Sequence, residues 1–409
     1  MNIQKIKSYF QLENISFFSA AFALYTICCS MALNHGDTTL GNSTIHVIFV
    51  IIKNLSLLCA AITFLKVPKS FSLSGCFLFI AIVLLDALSG FSNLIVTYIG
   101  FIIFFFCNKD AKWQCYEIFY AYMVVTGLIG IFCYLSFVFG LPLPYKTVDY
   151  YGADLAQSYG LFYVDYSLSY LVVSFDGIRL CGLFNEPGYY GTISAMLLIS
   201  NGCNFKDKRN IILLIAGMLT ISLAFCVLVV GYITIANISK IKKLISILFV
   251  SGILLLVLIK VGVIPESTVN TFMERFTLTN ATFSGDNRSN YYLDSEFEKL
   301  FSDTSHFAWG YGNLEKFAFK GVASYKLFML QYGVIGSIIA MTLLFLAALK
   351  TTRMTYHTLL FIGLFFISFY QRPYAFELVY ILVLIGGIYN IEKMKPKALY
   401  RSMPSTESN

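Results

Sequence analysis

The stretch IILLIAGMLTISLAFCVLVVGYITIANI (Ile211–Ile238) controls how the chain is counted. It is apolar almost throughout, and its length suits either one tilted helix or two short ones. The flanks choose between them. Lys206, Lys208 and Arg209 precede it, and Lys240, Lys242 and Lys243 follow it. Basic segments beside apolar helices stay on the cytoplasmic side of a membrane, so a turn near Thr220–Leu223 keeps both flanks on one side. Each leg then has only about 12–15 residues, short for a bilayer.

Other apolar runs lie on either side, at about 15–34, 45–65, 71–89, 93–107, 117–139, 189–203, 244–264, 324–349, 357–370 and 376–390. With the two legs they make twelve expected spans, both termini being cytoplasmic. The expected fold is an all-α polytopic integral membrane protein with two large periplasmic loops. Residues 1–139 hold helices one to five, 140–188 the first loop, and 189–262 helices six to nine. Residues 263–323 form the second loop, 324–392 helices ten to twelve, and 393–409 a cytoplasmic tail.

Composition points the same way. Of 409 residues, 58% are hydrophobic, 17% aromatic and only 12% charged, with a mean hydropathy of +0.73. A soluble chain carries about 25% charged residues, so a soluble enzyme and a disordered chain are both excluded and a chain dissolved in lipid is expected. The net charge of +7 comes from short basic clusters between apolar runs, such as Lys66/Lys69 and Lys350/Arg353. That placement argues against nucleic acid as a partner. The ten cysteines fall almost entirely within or beside apolar runs and give no disulfide framework. The first apolar run is long and lacks a small-residue cleavage motif, so it reads as a span, not a signal peptide.

Chemistry is expected in the two long loops. The first ends in RLCGLFNEPG (Arg179–Gly188). Pro187 suits the first turn of a helix and Asn185 or Glu186 its cap, while Arg179 offers a planar fork for phosphate oxygens. The second supplies MERF (Met273–Phe276), SGDNRSNY (Ser284–Tyr291), WGYGN (Trp309–Asn313) and VASYK (Val322–Lys326), followed by QYGVIG (Gln331–Gly336). Arg275 and Arg288 are either phosphate contacts or solvated arginines paired with loop carboxylates. Tyrosines crowd the first loop, Tyr145 to Tyr170, and suit either an interfacial belt or a saccharide groove. Asp294 and Glu298 share one helical face, which suits solvent better than a cation. Lys53 and Asp86 lie within expected spans, where an unpaired charge is costly, so pairing or snorkelling outward is expected. No P-loop, dinucleotide fingerprint or metal-ligand spacing is visible.

The pattern Arg179–Gly182–Phe184–Glu186–Pro187 between two spans resembles the bacterial Wzy-type O-antigen polymerases within the O-antigen ligase and polymerase superfamily. So does the second loop, with its arginine, its Gly-Tyr-Gly and the closing Ser-Tyr-Lys before Gly-Val-Ile-Gly. The resemblance implies a GT-C-like fold in the bacterial inner membrane, with its active site facing the periplasm. It implies a glycosyltransferase that joins undecaprenyl-diphosphate-linked oligosaccharide repeat units into long chains. On that reading Arg179 and Arg288 stabilise the leaving diphosphate and Glu186 is a candidate base. Arg275, Tyr325, Lys326 and Arg372 would bind substrate. The implied partners are the lipid-linked oligosaccharide, membrane lipid, a chain-length regulator and a flippase; no cofactor or metal is implied. An O-antigen ligase is the nearer alternative, although the histidine that ligases carry before the helix after the second loop is replaced here by Ser324-Tyr325-Lys326. A non-enzymatic flippase or transporter is the more distant one.

Overall fold

Every residue of the helix Pro187–Ser200 is buried. The computed structural model describes residues 3–30, 43–70, 72–90, 95–149, 162–174, 177–236, 278–279, 282–283, 291–314 and 324–394. In chain order these hold α1 (Ile3–Ser30), α2 (Ser43–Phe64), α3 (Leu73–Leu88), α4 (Ile95–Phe106) and α5 (Lys109–Val138). Four strands follow: β1 (Lys146–Asp149), β2 (Phe162–Asp165), β3 (Tyr170–Ser174) and β4 (Gly177–Gly182). Next come the buried helix α6 (Pro187–Ser200), α7 (Lys208–Leu219) and α8 (Leu223–Ala236). A two-residue pairing of β5 (Leu278–Thr279) with β6 (Thr282–Phe283) precedes α9 (Tyr291–Ser302) and α10 (Thr304–Phe307). The chain continues through α11 (Tyr325–Tyr332), α12 (Val334–Leu349), α13 (Tyr356–Ser368) and α14 (Leu378–Lys393).

Two helices form the centre. In α6 all faces are covered, and in α14 every residue from Leu378 to Ile391 is buried. Such all-round apolar helices belong in the interior of a larger structure or in lipid. Here protein covers them: α7, α8, α13, α14 and β4 pack on α6, and α5, α6 and α13 pack on α14. A buried polar network holds α5, α6 and α14 in register. The hydroxyls of Tyr116 and Ser200 are 2.5 Å apart, and Asn390 donates to Asn201 and to the Ser200 carbonyl, each at 3.1 Å. Trp113 completes it by donating to Asn390 at 3.3 Å.

The four strands form an antiparallel meander in sequence order, inserted between α5 and α6. Alternation sets its two faces. Val164, Leu171 and Leu180 join the main core, while Tyr163, Tyr170, Val172 and Cys181 form a second cluster on the other face. The expected break in Ile211–Ile238 falls where the turn was placed: α7 stops at Leu219, Ile221 takes a φ of +50°, and α8 begins at Leu223.

The expected architecture needs correction. Among the described residues two helices are long and apolar enough to cross a membrane, His46–Phe64 in α2 and Lys109–Val138 in α5. A third candidate is the pair α11 and α12, bent by 112° at Gly333, whose φ of +71° and contact with the Ala308 carbonyl suit only glycine. Leu73–Leu88, Thr97–Phe106, Leu223–Ala236 and Tyr356–Ser368 are apolar but run only 10–17 residues. At 1.5 Å per residue that is roughly 15–25 Å, against about 30 Å of hydrocarbon. The run expected at 244–264 lies outside the described residues. Among the described residues two or three candidate spans and a four-stranded sheet replace the all-α, GT-C-like, twelve-span protein. The multi-pass inner-membrane placement that rested on twelve spans falls with it. The physical cause is plain in α6 and α14: hydropathy records that a helix is apolar, not what covers it.

Close packing in the centre makes one stability test direct. A Cβ at Gly386 of α14 would lie 2.4 Å from Tyr116 Cβ, whereas one at Gly363 meets nothing within 4 Å. Gly386→Ala is expected to destabilise by about 1–3 kcal/mol through overpacking. Gly363→Ala is expected to leave thermal unfolding unchanged or slightly raised, since alanine favours a helix by up to about 1 kcal/mol. Equal unfolding midpoints for the two variants would contradict the packing.

Candidate functional site

Beside the two central helices lies an open cavity of about 680 Å³. Its wall is built from α1, α2, α3, α4, α11 and the segment that leads into α14. Much of the lining is apolar or aromatic, including Tyr25, Ile82, Leu85, Phe101 and Phe328. Set into it are the polar groups Lys53, Asn54, Asp86, Gln331 and Glu377. A lysine and two carboxylates in such a wall require a structural reason.

For Asp86 the reason is local. It lies at the C-terminal end of α3, where the helix dipole disfavours a negative charge, and it is buried. Tyr98 of α4 donates its hydroxyl to the Asp86 carboxylate, offsetting part of that cost. Lys53 comes from the half-buried face of α2, whose opposite face exposes Val47, Ile51, Leu55, Leu58 and Ile62 at one-turn intervals. The two expected intramembrane charges thus line one cavity.

For Glu377 the reason is tertiary. It occupies the N-cap position of α14 but makes no capping bond; Tyr189 of α6 donates to its carboxylate at 2.6 Å instead. Directly behind stands a buried ion pair. Arg372, with a side chain only 2% exposed, donates to the carboxylate of Glu186. Glu186 likewise sits at the N-cap position of α6 without a capping bond. Burial alone would lower the Arg372 pKa, but the charge and hydrogen bond of Glu186 outweigh it and hold the guanidinium above its ordinary value. Burial pushes Glu377 up to about 7, against the opposing pull of the Tyr189 hydrogen bond and the Arg372 charge. Tyr189 packs edge-on against Tyr380 at 5.4 Å and tilted against Tyr374 at 5.7 Å, closing the cluster.

The residues expected to matter are distributed around this cluster. Glu186 and Arg372, read from motifs far apart in the chain, form one pair. Arg179 lies on β4 opposite Val172, and its Nε donates to the Thr220 carbonyl at 3.0 Å, tying the sheet to the turn between α7 and α8. Tyr325 stacks on Tyr370 at 5.1 Å, and Lys326 bonds Asp294 at 2.7 Å over the ring of Phe297. That second group reaches the first through the short segment from Tyr370 to Arg372. Arg275 and Arg288 lie outside the described residues, and with them the expected convergence of Arg179 and Arg288. Sequence reading missed Glu377, Tyr189 and Tyr98. A second glutamate just before an apolar run, as in Asn185-Glu186-Pro187, was the available signal for Glu377.

No family model, curated protein or solved structure matches the chain. The resemblance to O-antigen polymerases rested on short motifs set in a twelve-span frame. Among the described residues that frame is not there, and no relative supports the motifs. Membership of that superfamily is therefore corrected. The polymerase function, the glycosyltransferase activity and the ligase and flippase alternatives are corrected with it, since each required the polytopic architecture.

The ion pair makes a testable demand. Removing one partner of a buried pair leaves an uncompensated charge and costs about 3–5 kcal/mol. Arg372→Met is expected to fall in that range by thermal or denaturant unfolding, and Arg372→Met combined with Glu186→Gln is expected to recover most of the loss. A double variant no better than the single one would show that the pair is not what holds these segments.

Proposed function

We propose that the protein binds an amphiphile, seating a hydroxylated, saccharide-type head in the cavity and its apolar part against the surrounding wall. The observation that carries this reading is the mixture of groups in one wall: two carboxylates and two amides among aromatic and aliphatic side chains. Carboxylates accept from hydroxyls, and Asn54 and Gln331 both donate and accept. Aromatic faces cover the apolar C–H face of a sugar ring, and a tyrosine adds a polar tip. A volume of about 680 Å³ falls within the roughly 300–1,000 Å³ usual for ligand sites. Charge favours a neutral head, because Lys53 and Asp86 offset each other and the remaining acid, Glu377, is held partly protonated near neutral pH. Undecaprenyl-diphosphate-linked oligosaccharide, expected from the sequence as a partner, shares the saccharide and the apolar chain with this ligand class but adds an anionic diphosphate, which this charge balance disfavours.

Three amphiphiles with the same chain and different heads test the reading. The full chain is held in an amphipathic polymer and titrated with octyl glucoside, octyl phosphate and octyl trimethylammonium below their micelle thresholds. Octyl glucoside is expected to bind most tightly. Asn54→Ala with Gln331→Ala is expected to weaken it by about tenfold, the worth of roughly 1.4 kcal/mol of lost hydrogen bonding. Tighter binding of the phosphate or the ammonium head, or a double variant that binds the glucoside unchanged, would overturn the proposal.

A further inference from the structure

Glu377 has two surroundings that treat its charge differently. On one side is the cavity, with Lys53 on α2, Asp86 on α3 and Cys29 on α1 in the same wall. On the other side are Tyr189 from α6, Tyr380 from α14 and Arg372 from the connecting segment, while Tyr374 of that segment lines the cavity as well. The Arg372 guanidinium is already committed to Glu186. Its charge also pulls the Glu377 pKa down, and Lys53 shares the cavity wall with Glu377 and Asp86. Ionising Glu377 adds one negative charge to a wall that already holds Lys53 and Asp86, and water entering the cavity would solvate it. A ligand head that fills the cavity removes that water, and desolvation disfavours the ionised form.

Resting on the cavity reading above, we propose that ligand binding is linked to proton uptake at Glu377, so that the occupied site holds the neutral carboxyl and the empty site releases the proton as the solution becomes alkaline. The geometry gives the linkage a direction. A carboxyl that is already pushed up to about 7 by burial is pushed further when the cavity fills. Below that value the empty site is already protonated and affinity is level with pH. Above it, each binding event takes up one proton, and affinity falls about tenfold per pH unit until the pKa of the occupied site is reached. Tyr189 sharpens the contrast. Its hydroxyl donates to the carboxylate, which supports the ionised form in the empty site, so ligand and tyrosine pull the proton equilibrium in opposite directions.

The test follows octyl glucoside binding to the full chain by calorimetry from about pH 6 to about pH 9, in two buffers of different ionisation enthalpy. Wild type is expected to take up roughly one proton per ligand near pH 8 and to lose affinity about tenfold per unit there. Glu377→Gln is expected to lose the pH slope and to take up no proton, whatever its absolute affinity. Asp86→Asn is expected to keep the pH slope. An infrared difference spectrum of wild type needs no variant: adding ligand near pH 8 is expected to raise a protonated-carboxyl band. Level wild-type affinity, no band, or a slope that survives in Glu377→Gln would overturn the linkage while leaving the cavity reading intact. No binding at any pH would overturn the cavity reading and the linkage together.

Discussion

The buried pair between Glu186 and Arg372 joins segments that are distant in the chain, the turn from β4 into α6 and the connection from α13 into α14. Both ends are places where a helix begins. Each of the two central helices carries a glutamate at its N-cap position, and neither glutamate caps its own helix. The connection before α14 supplies Arg372 to the glutamate of α6, and α6 supplies Tyr189 to the glutamate of α14. The exchange is reciprocal. Two helix N-termini are thereby held side by side, and their partial positive charges favour acids at that point. Glu186 accepts from Arg372. Glu377 does not bond the arginine, and burial pushes it up to about 7 against the pull of Tyr189 and the Arg372 charge. Arg372 therefore bears on both glutamates, bonding one and acting on the other by charge.

The sequence made some of this legible and hid the rest for physical reasons. The break at Thr220–Ser222 was readable because basic flanks and an overlong apolar run leave few arrangements. Pro187 announced the start of α6, and Glu186 and Arg372 stood out as ionisable groups at the edges of apolar runs. Their partnership was not readable, since it depends on how α6 and α14 pack and not on local pattern. The four-stranded sheet was missed because a tyrosine-rich segment between apolar runs reads equally well as an interfacial loop. Yet its alternation is present: Leu171 and Leu180 face one way, Tyr170, Val172 and Cys181 the other.

The twelve-span expectation failed on a narrower point. A run such as Tyr189–Ser200 contains no charge and satisfies any hydropathy window, but its neighbours α7, α8, α13, α14 and β4 are themselves apolar on their inner faces. Protein interior and hydrocarbon are equivalent solvents for such a helix. Length separates them where composition does not, and most of these helices are short. The α2 helix is the contrary case: it is long enough, and a full face of Val47, Ile51, Leu55, Leu58 and Ile62 is exposed.

That same helix explains how a polar cavity survives in a chain with so few charges. Lys53 and Asn54 lie on the side of α2 that meets the cavity, while its apolar stripe points away from the core. Its inward side carries Lys53 beside the buried Phe49, Leu57 and Ala60, its outward side is apolar, and Asn54 is exposed at the edge between them. Placing a lysine inward is costly unless acids share the space, and Asp86 and Glu377 do. One of those acids is fixed by Tyr98 and the other is poised by Tyr189. A cavity assembled this way mixes polar groups with apolar and aromatic side chains in one wall. An amphiphile satisfies both surfaces at once, whereas a fully polar or a fully apolar molecule leaves one of them without a partner.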